Sequence, residues 1–455
     1  MTAVKIGNIG QALDYLYSFI NYETDSSYSY ESIHYNVDRT IRLLDLLDNP
    51  QNGLKIIHVA GTKGKGSVCQ ILNTLLGSLD YITGVFTSPH IDRINERITV
   101  NGQQIKDEEL IGLMNLFHPL IESFPVDSKP TTFEILTAMA VHYFKMKGVE
   151  FIILETGMGG RFDSTNFSDP VLSVITSISY DHVDKLGEHI HQIAAEKAGI
   201  IKKSKPVVVG YQVYDVFDIF KKKSVEGGSA CYSTGELCSY DILSATEKGT
   251  IFHANINGLV LKNVFISLPG EHQVENAVLA LHGLKILGLL PMGRTIRKAL
   301  KNVHMPARLE LIAKNRRYLL DSAHNEDSSR VLVRAVKKAY HYNKLVTVAG
   351  IVKGKDINGI LKNLATISDS LIITEPVTHK DLDTEHVYKK ARELYPSAVL
   401  KKSLKDAVAY AVEISCGDDL ILITGSFYTT SPARSWITAE TASRLPGTRD
   451  KNSSP

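Results

Sequence analysis

Cysteine is scarce in this chain. The four in 455 residues, Cys69, Cys231, Cys238 and Cys416, are widely scattered and form no CxxC pair. That spacing argues against a disulfide framework or a zinc ribbon and predicts buried thiols in a reducing compartment. Excess charge is missing as well: the formal net charge is +2, so no general affinity for nucleic acid or acidic membranes is expected. No apolar run approaches membrane-spanning length, and the N-terminus lacks a basic region followed by an apolar core. There is no internal repeat, coiled coil or long low-complexity tract. These absences predict a cytoplasmic protein with neither nucleic acid nor membrane as partner. The length suits two domains with sizeable cores.

What the chain does have is centred on residues 54–67, LKIIHVAGTKGKGS. A short apolar strand, Leu54 to Val59, enters a glycine-rich turn, and a helix-like run, VCQILNTLLGSL, follows at once. Strand, glycine loop and helix are the context in which a phosphate-loop pattern carries weight. Gly61, Gly64 and Gly66 let the backbone turn its N–H groups inward at a helix N-terminus, where an anion binds. Lys65 would reach the β- and γ-phosphates of a nucleotide, and Thr62 or Ser67 would contact phosphate or metal. The spacing departs from the common pattern, because Gly66 separates Lys65 from Ser67. A tight turn with solvated lysines is the plain alternative.

Upstream, Leu13, Leu16 and Ile20 suggest one helix face, and Ile41, Leu44 and Leu47 a second. Downstream, a strand ending at Phe86 leads into an exposed-looking polar loop with Ser88, His90, Arg93, Glu96 and Arg97. Residues 132–147 form an amphipathic helix. The strand VEFIILE then ends in Glu155, ahead of TGMGGRFDSTN. One acid at the carboxyl end of an apolar strand is the arrangement that holds Mg²⁺ beside a phosphate loop. Another strand, VLSVITSI, delivers Asp181 and His182. In an open parallel α/β sheet such strand ends converge on one edge, where ligands bind. Lys197, in the helix over 189–201, reads from the residues alone as a solvated helix lysine. His272, Gln273 and Asn276 share the first turn of a long helix over 270–290. At MPARLE the strand and helix alternation restarts, predicting two α/β domains, 1–304 and 305–455. The first carries an open, mostly parallel sheet with the phosphate loop; the second is smaller, with polar strand ends at Asp321 and His324.

The blocks HVAGTKGKGS, TSPH with ERI, LETGMGGRFDSTN, DHVDKLG, AAEKAGIIK, GEHQVENA, PARLE, DSAHN and ITGSFY occur here in order. Together they resemble the folylpolyglutamate synthases and dihydrofolate synthases of the ATP-dependent Mur ligase superfamily. The resemblance implies a Mur-ligase-like P-loop ATPase domain followed by a Rossmann-like glutamate-ligase domain. It implies a monomer acting on ATP, L-glutamate and a folate or dihydropteroate. Gly61, Thr62, Lys63, Gly64, Lys65, Gly66 and Ser67 would cradle ATP, with Asn276 and Arg308 as nucleotide contacts and Asp321 and His324 reaching over from the second domain. Ser88, Glu155 and His182 match magnesium-ligand positions. Lys197 matches a lysine that is carbamylated in related enzymes, so two ions are expected; Lys65, Glu155, His182 and Lys197 form the implied catalytic set. Ser88, His90, Arg93, Arg97, Thr132, Phe133 and Asp163 fall where the pterin-bearing substrate and its carboxylate would sit. Lys63, Ala307 and Ser322 depart from the family's frequent Asn, Gly and Gly, and Gly354 precedes Lys355–Asp356 where an acid is usual.

Two rival readings share the glycine loop. A Mur-type peptidoglycan-precursor ligase uses the same chemistry but generally carries a UDP-sugar-binding domain before the loop; the sixty residues preceding Gly61 are too few for one. A P-loop nucleotide switch would leave the second α/β domain and the ERI and DSAHN blocks unexplained. Adding the first glutamate to dihydropteroate and extending a folate both join L-glutamate to a carboxylate on a pterin-bearing molecule, so one ATP site serves either.

Overall fold

The computed structural model describes residues 5–22, 36–181, 183–378 and 382–439. The chain divides into two compact units, Met1–Met305 and Pro306–Pro455.

In the first unit, eight strands form one sheet: β1 Lys55–Ala60, β2 Thr83–Phe86, β3 Ile98–Val100, β4 Gln103–Gln104, β5 Phe151–Glu155, β6 Leu172–Ile175, β7 Val207–Val209 and β8 Cys231–Ser233. Their order is β4-β3-β2-β5-β1-β6-β7-β8. From β2 to β8 every neighbouring pair is parallel; β3 and β4 add antiparallel edge strands. The central strands are apolar runs because both faces of the sheet are covered. Ile57 and Val59 pack with Val68, Ile71 and Leu75 of the helix Lys65–Gly77. Ile56, on the opposite face, packs with Ile135 and Met139 of the helix Thr132–Met146. Three antiparallel strands, β9 Cys238–Thr246, β10 Gly249–Ile256 and β11 Leu259–Ile266, make a separate sheet whose Phe252, Val264 and Ile266 join the first core beside the helix Glu271–Ile286.

The leader helices run Ile9–Tyr17 and Val37–Asp45. They bury Leu16, Leu43 and Leu44, whereas Ile20 and Ile41, expected on the buried faces, are exposed. Ile20 lies beyond the end of its helix, and the second stripe is set one position along, on Thr40, Leu43 and Leu44. Cys69 and Cys238 are buried as expected, but Cys231 is half-buried and Cys416 exposed; all four are free thiols.

The second unit holds a six-stranded sheet of β12 Glu310–Ala313, β13 Arg317–Leu320, β14 Leu345–Ala349, β15 Ser370–Ile373, β16 Val399–Leu400 and β17 Leu420–Thr424. The order is β12-β13-β17-β14-β15-β16, parallel except for the β12–β13 hairpin. Among the described residues no helix is long and apolar enough to cross a membrane.

Candidate active site

β2, β5, β1 and β6 are consecutive, parallel neighbours. Ser88, Glu155, the Gly61–Ser67 loop and Asp181 therefore leave the sheet along one edge, although far apart in sequence.

The phosphate loop is tied down on both sides. The N–H groups of Thr62 and Lys63 donate to the Ser177 carbonyl at 2.9 and 3.3 Å, and the Thr62 hydroxyl exchanges hydrogen bonds with the backbone of Ser179. That hydroxyl is thus used to anchor the loop. Gly61 has φ +149°, and a Cβ there would fall 1.8 Å from Thr176 Oγ1. Gly64, at the N-cap of the helix Lys65–Gly77, has φ +86°, and its missing Cβ would fall 2.4 Å from Asn276 Oδ1. The Asn276 amide, itself bonded to Gln273 Oε1 at 3.1 Å, thus lies against the loop. Only glycine meets both demands, a left-handed turn and no side chain.

Glu155 is buried, and its Oε2 accepts the Ser88 N–H at 3.2 Å. Both carboxylate oxygens lie just beyond Gly66, within 3.9 Å of where a Cβ would stand. The sheet edge therefore aims an acid at the first turn of the phosphate-loop helix. Lys197 is 4% exposed rather than solvated. Burial, and then the charge of Lys65, lower its pKa to about 7, against the opposing pull of Asp181, Asp163 and Glu196. Lys65, Asp181, Asp163 and Lys197 thus share one electrostatic environment. His182, the remaining expected metal position, lies outside the described residues.

The polar loop after β2 is less exposed than its composition suggests. Arg97 is buried, and its Nε donates to His90 Nδ1 at 2.8 Å. Glu96 accepts the backbone N–H groups of Ile91, Asp92 and Arg93. Arg93 is exposed and paired with Asp107 at 2.7 Å.

Phe133 and Asp163 meet around Gly157, where a Cβ would fall 2.7 Å from the Phe133 ring and 3.4 Å from Asp163 Oδ2. Phe86 packs on Phe133 at 5.6 Å between ring centroids. Asp163 accepts the Met158 N–H, the Thr165 N–H and the Thr165 hydroxyl at 2.9, 3.0 and 2.6 Å. Burial pushes its pKa up, and these donors hold it down. Thr132 is adjacent, but its hydroxyl donates to the Leu16 and Phe19 carbonyls and its N–H to Ile20. Its side chain fastens the leader to the helix Thr132–Met146. Glu134 of that helix forms a two-bond pair with Arg39, at 2.8 and 2.7 Å. Arg39, Thr176 and His58 carry no motif, and sequence reasoning passes over them; a lone histidine inside the apolar strand KIIHVA was the one available signal.

In the second unit, Asp321 accepts the backbone N–H groups of Leu309 and Ala323, both at 3.0 Å. Burial raises its pKa and Arg308 opposes this. The Arg308 guanidinium stacks 4.9 Å from the Phe427 ring centroid, and the His324 ring lies 6.2 Å from the same ring. The three expected positions of this unit therefore form one cluster. Ala307 adopts φ +50°.

A phosphate loop, an acid on the neighbouring parallel strand and a second α/β unit define a P-loop protein of the Mur ligase type. Residues 59–283 match the Mur ligase middle domain, and residues 307–427 the Mur ligase glutamate ligase domain. The chain is 33% identical to the dihydrofolate synthase/folylpolyglutamate synthase of Bacillus subtilis, over 87% of this chain and 93% of that one. It is 32% identical to the protein of the same name from Mycobacterium tuberculosis, over 88% and 89%. Among solved structures, M. tuberculosis folylpolyglutamate synthase complexed with ADP superposes with a TM-score of 0.86 at 30% identity, covering 94% of this chain and 98% of that one. E. coli FolC in complex with DHPP and ADP gives 0.82 at 26%, covering 96% and 99%. The chain belongs to the dihydrofolate synthase/folylpolyglutamate synthase family of ligases.

Proposed function

We propose that this protein uses ATP to join L-glutamate to the carboxylate of a pterin-bearing substrate, both extending folates and adding the first glutamate to dihydropteroate. The observation that carries this reading is the meeting of the phosphate loop, Ser88, Glu155 and Lys197 at one sheet edge, beside the Phe133–Asp163 corner. A carboxylate oxygen is a poor leaving group, so amide formation in water needs activation. The substrate carboxylate attacks the γ-phosphorus of ATP and ADP departs, leaving an acyl phosphate. The glutamate amine attacks the acyl carbon, loses a proton, and phosphate leaves. The protein's part is to position these groups and offset their charge. The N–H groups of the Gly61–Ser67 loop and the Lys65 ammonium hold the phosphoryl oxygens, and Asn276 braces the loop. Phe133 gives the pterin a flat apolar wall, and Asp163 keeps the facing loop in register.

Ser88 and Glu155 form an oxygen donor set suited to a hard cation such as Mg²⁺, and the buried Glu155 carboxylate faces the phosphate-loop helix, where such an ion would neutralise phosphoryl charge. Lys197 and His182 would complete a second position. With a pKa near 7, a large share of Lys197 is the neutral amine that adds carbon dioxide, which supports its reading as a carbamate. In this reading the first unit binds ATP and the second, which carries the Arg308, Asp321 and His324 cluster, brings in glutamate. The protein acts as a cytoplasmic monomer.

The test is ATP-dependent phosphate release with Mg²⁺ and L-glutamate, comparing dihydropteroate, tetrahydrofolate and neither, with product masses read in parallel. Release stimulated by each pterin, with one glutamate mass added per turnover, is the expected result. Release indifferent to every acceptor would overturn the reading and favour a nucleotide switch.

A further inference from the structure

His58 lies inside β1, fully buried, and no step above uses it. Both of its ring nitrogens are engaged: Nε2 is 2.7 Å from Thr165 Oγ1, and Nδ1 is 3.1 Å from Ser168 Oγ. The Thr165 hydroxyl also donates to Asp163 Oδ1 at 2.6 Å. A hydroxyl has one proton to give. Because Thr165 gives it to the carboxylate, which only accepts, Thr165 receives its other bond from His58. The imidazole proton therefore sits on Nε2, and Nδ1 accepts from Ser168. A directed chain results, running Ser168 to His58 to Thr165 to Asp163, with every member at least nine-tenths buried. Asp163 in turn gathers the N–H groups of Met158 and Thr165, so the chain ends on the loop that faces Phe133.

We propose that His58 is a positioning residue for the pterin end of the site: through Thr165 and Asp163 it sets the 156–164 loop against Phe133. A neutral imidazole suits this place because it offers a donor and an acceptor on opposite sides of one rigid ring. The ordinary alternative, a core histidine that merely satisfies itself, would have no reason to terminate on Asp163. The proposal rests on the reading that Phe133 and the loop held by Asp163 face the pterin.

The test uses the full chain and four variants: Thr165→Val, Thr165→Ser, His58→Leu and the His58→Leu/Thr165→Val double variant. Thr165→Val and His58→Leu should each raise KM for the pterin substrate about tenfold while leaving KM for ATP within about twofold. Thr165→Ser, which keeps the hydroxyl, should restore the wild-type KM. The double variant should be no worse than either single one, because both cut the same chain. If His58→Leu does not fold, the Thr165 pair decides the matter. A Thr165→Val enzyme with unchanged pterin KM, or with both KM values raised alike, overturns the proposal. A wild-type enzyme without pterin-dependent phosphate release strikes the functional reading instead, and this inference with it.

Discussion

A buried lysine held near pKa 7 works against the fold that contains it. In an unfolded chain the Lys197 amine binds its proton with a pKa near 10.5; in the folded protein that falls to about 7, first through burial and then through Lys65. Between these values the unfolded chain keeps a proton that the folded chain has shed, so stability rises with pH across this window. The penalty is absent above about pH 10.5 and complete below about pH 7. At about 1.4 kcal/mol for each tenfold change in binding, it reaches ~5 kcal/mol at most, before any relaxation of the surroundings. Lys197→Met removes the charge and keeps most of the volume. In CO₂-free buffer without nucleotide, urea unfolding at pH 6 should find the variant more stable by about 2–5 kcal/mol, and the gain should shrink steadily towards pH 10. Phosphate release with pterin and glutamate should meanwhile fall by about a hundredfold or more, since stability and function conflict at this position. A variant less stable than wild type at pH 6, a gain independent of pH, or full activity would refute the reasoning.

Gly64→Ala combines a left-handed backbone position with a contact 2.4 Å from Asn276 Oδ1, so kcat/KM for ATP should fall at least about tenfold with the fold retained by circular dichroism. Wild-type ATP kinetics would show that the loop is not held as described. Arg39→Ala leaves Glu134 buried without its partner and should cost about 3–5 kcal/mol in urea unfolding; a loss below about 1 kcal/mol would mean that the pair contributes little. Burial, aided by the charge of Lys202, holds the His58 pKa down at about 3, so its ¹⁵N signals should report one neutral Nε2–H tautomer from pH 5 to 9. A titration near pH 6.5 would contradict the buried geometry.

Much of this protein is legible in its residues, because the signals are local. KIIHVA followed by GTKGKGS must make a strand, a turn and a helix, since only glycine accepts the backbone angles found at 61 and 64. FIILE is buried throughout because helices cover both faces of a parallel sheet, and the acid at its end marks where the apolar run meets the ligand edge. The second α/β unit announces itself by the same alternation. Other properties arise only when distant segments meet. Lys197 looks like a solvated lysine until the fold closes around it, and burial, not residue type, moves its pKa. Arg97 sits in a polar loop yet is buried against His90, and Thr132 spends its hydroxyl on the carbonyls of a leader more than a hundred positions away. His58 and Thr165, likewise more than a hundred positions apart, form a directed bond because β1 runs beneath the loop that follows β5. Backbone preference and hydrophobic pattern act over a few residues, so the chain alone sets its elements. Desolvation and hydrogen-bond partnership depend on what the whole fold places within a few ångströms, and these decided the site.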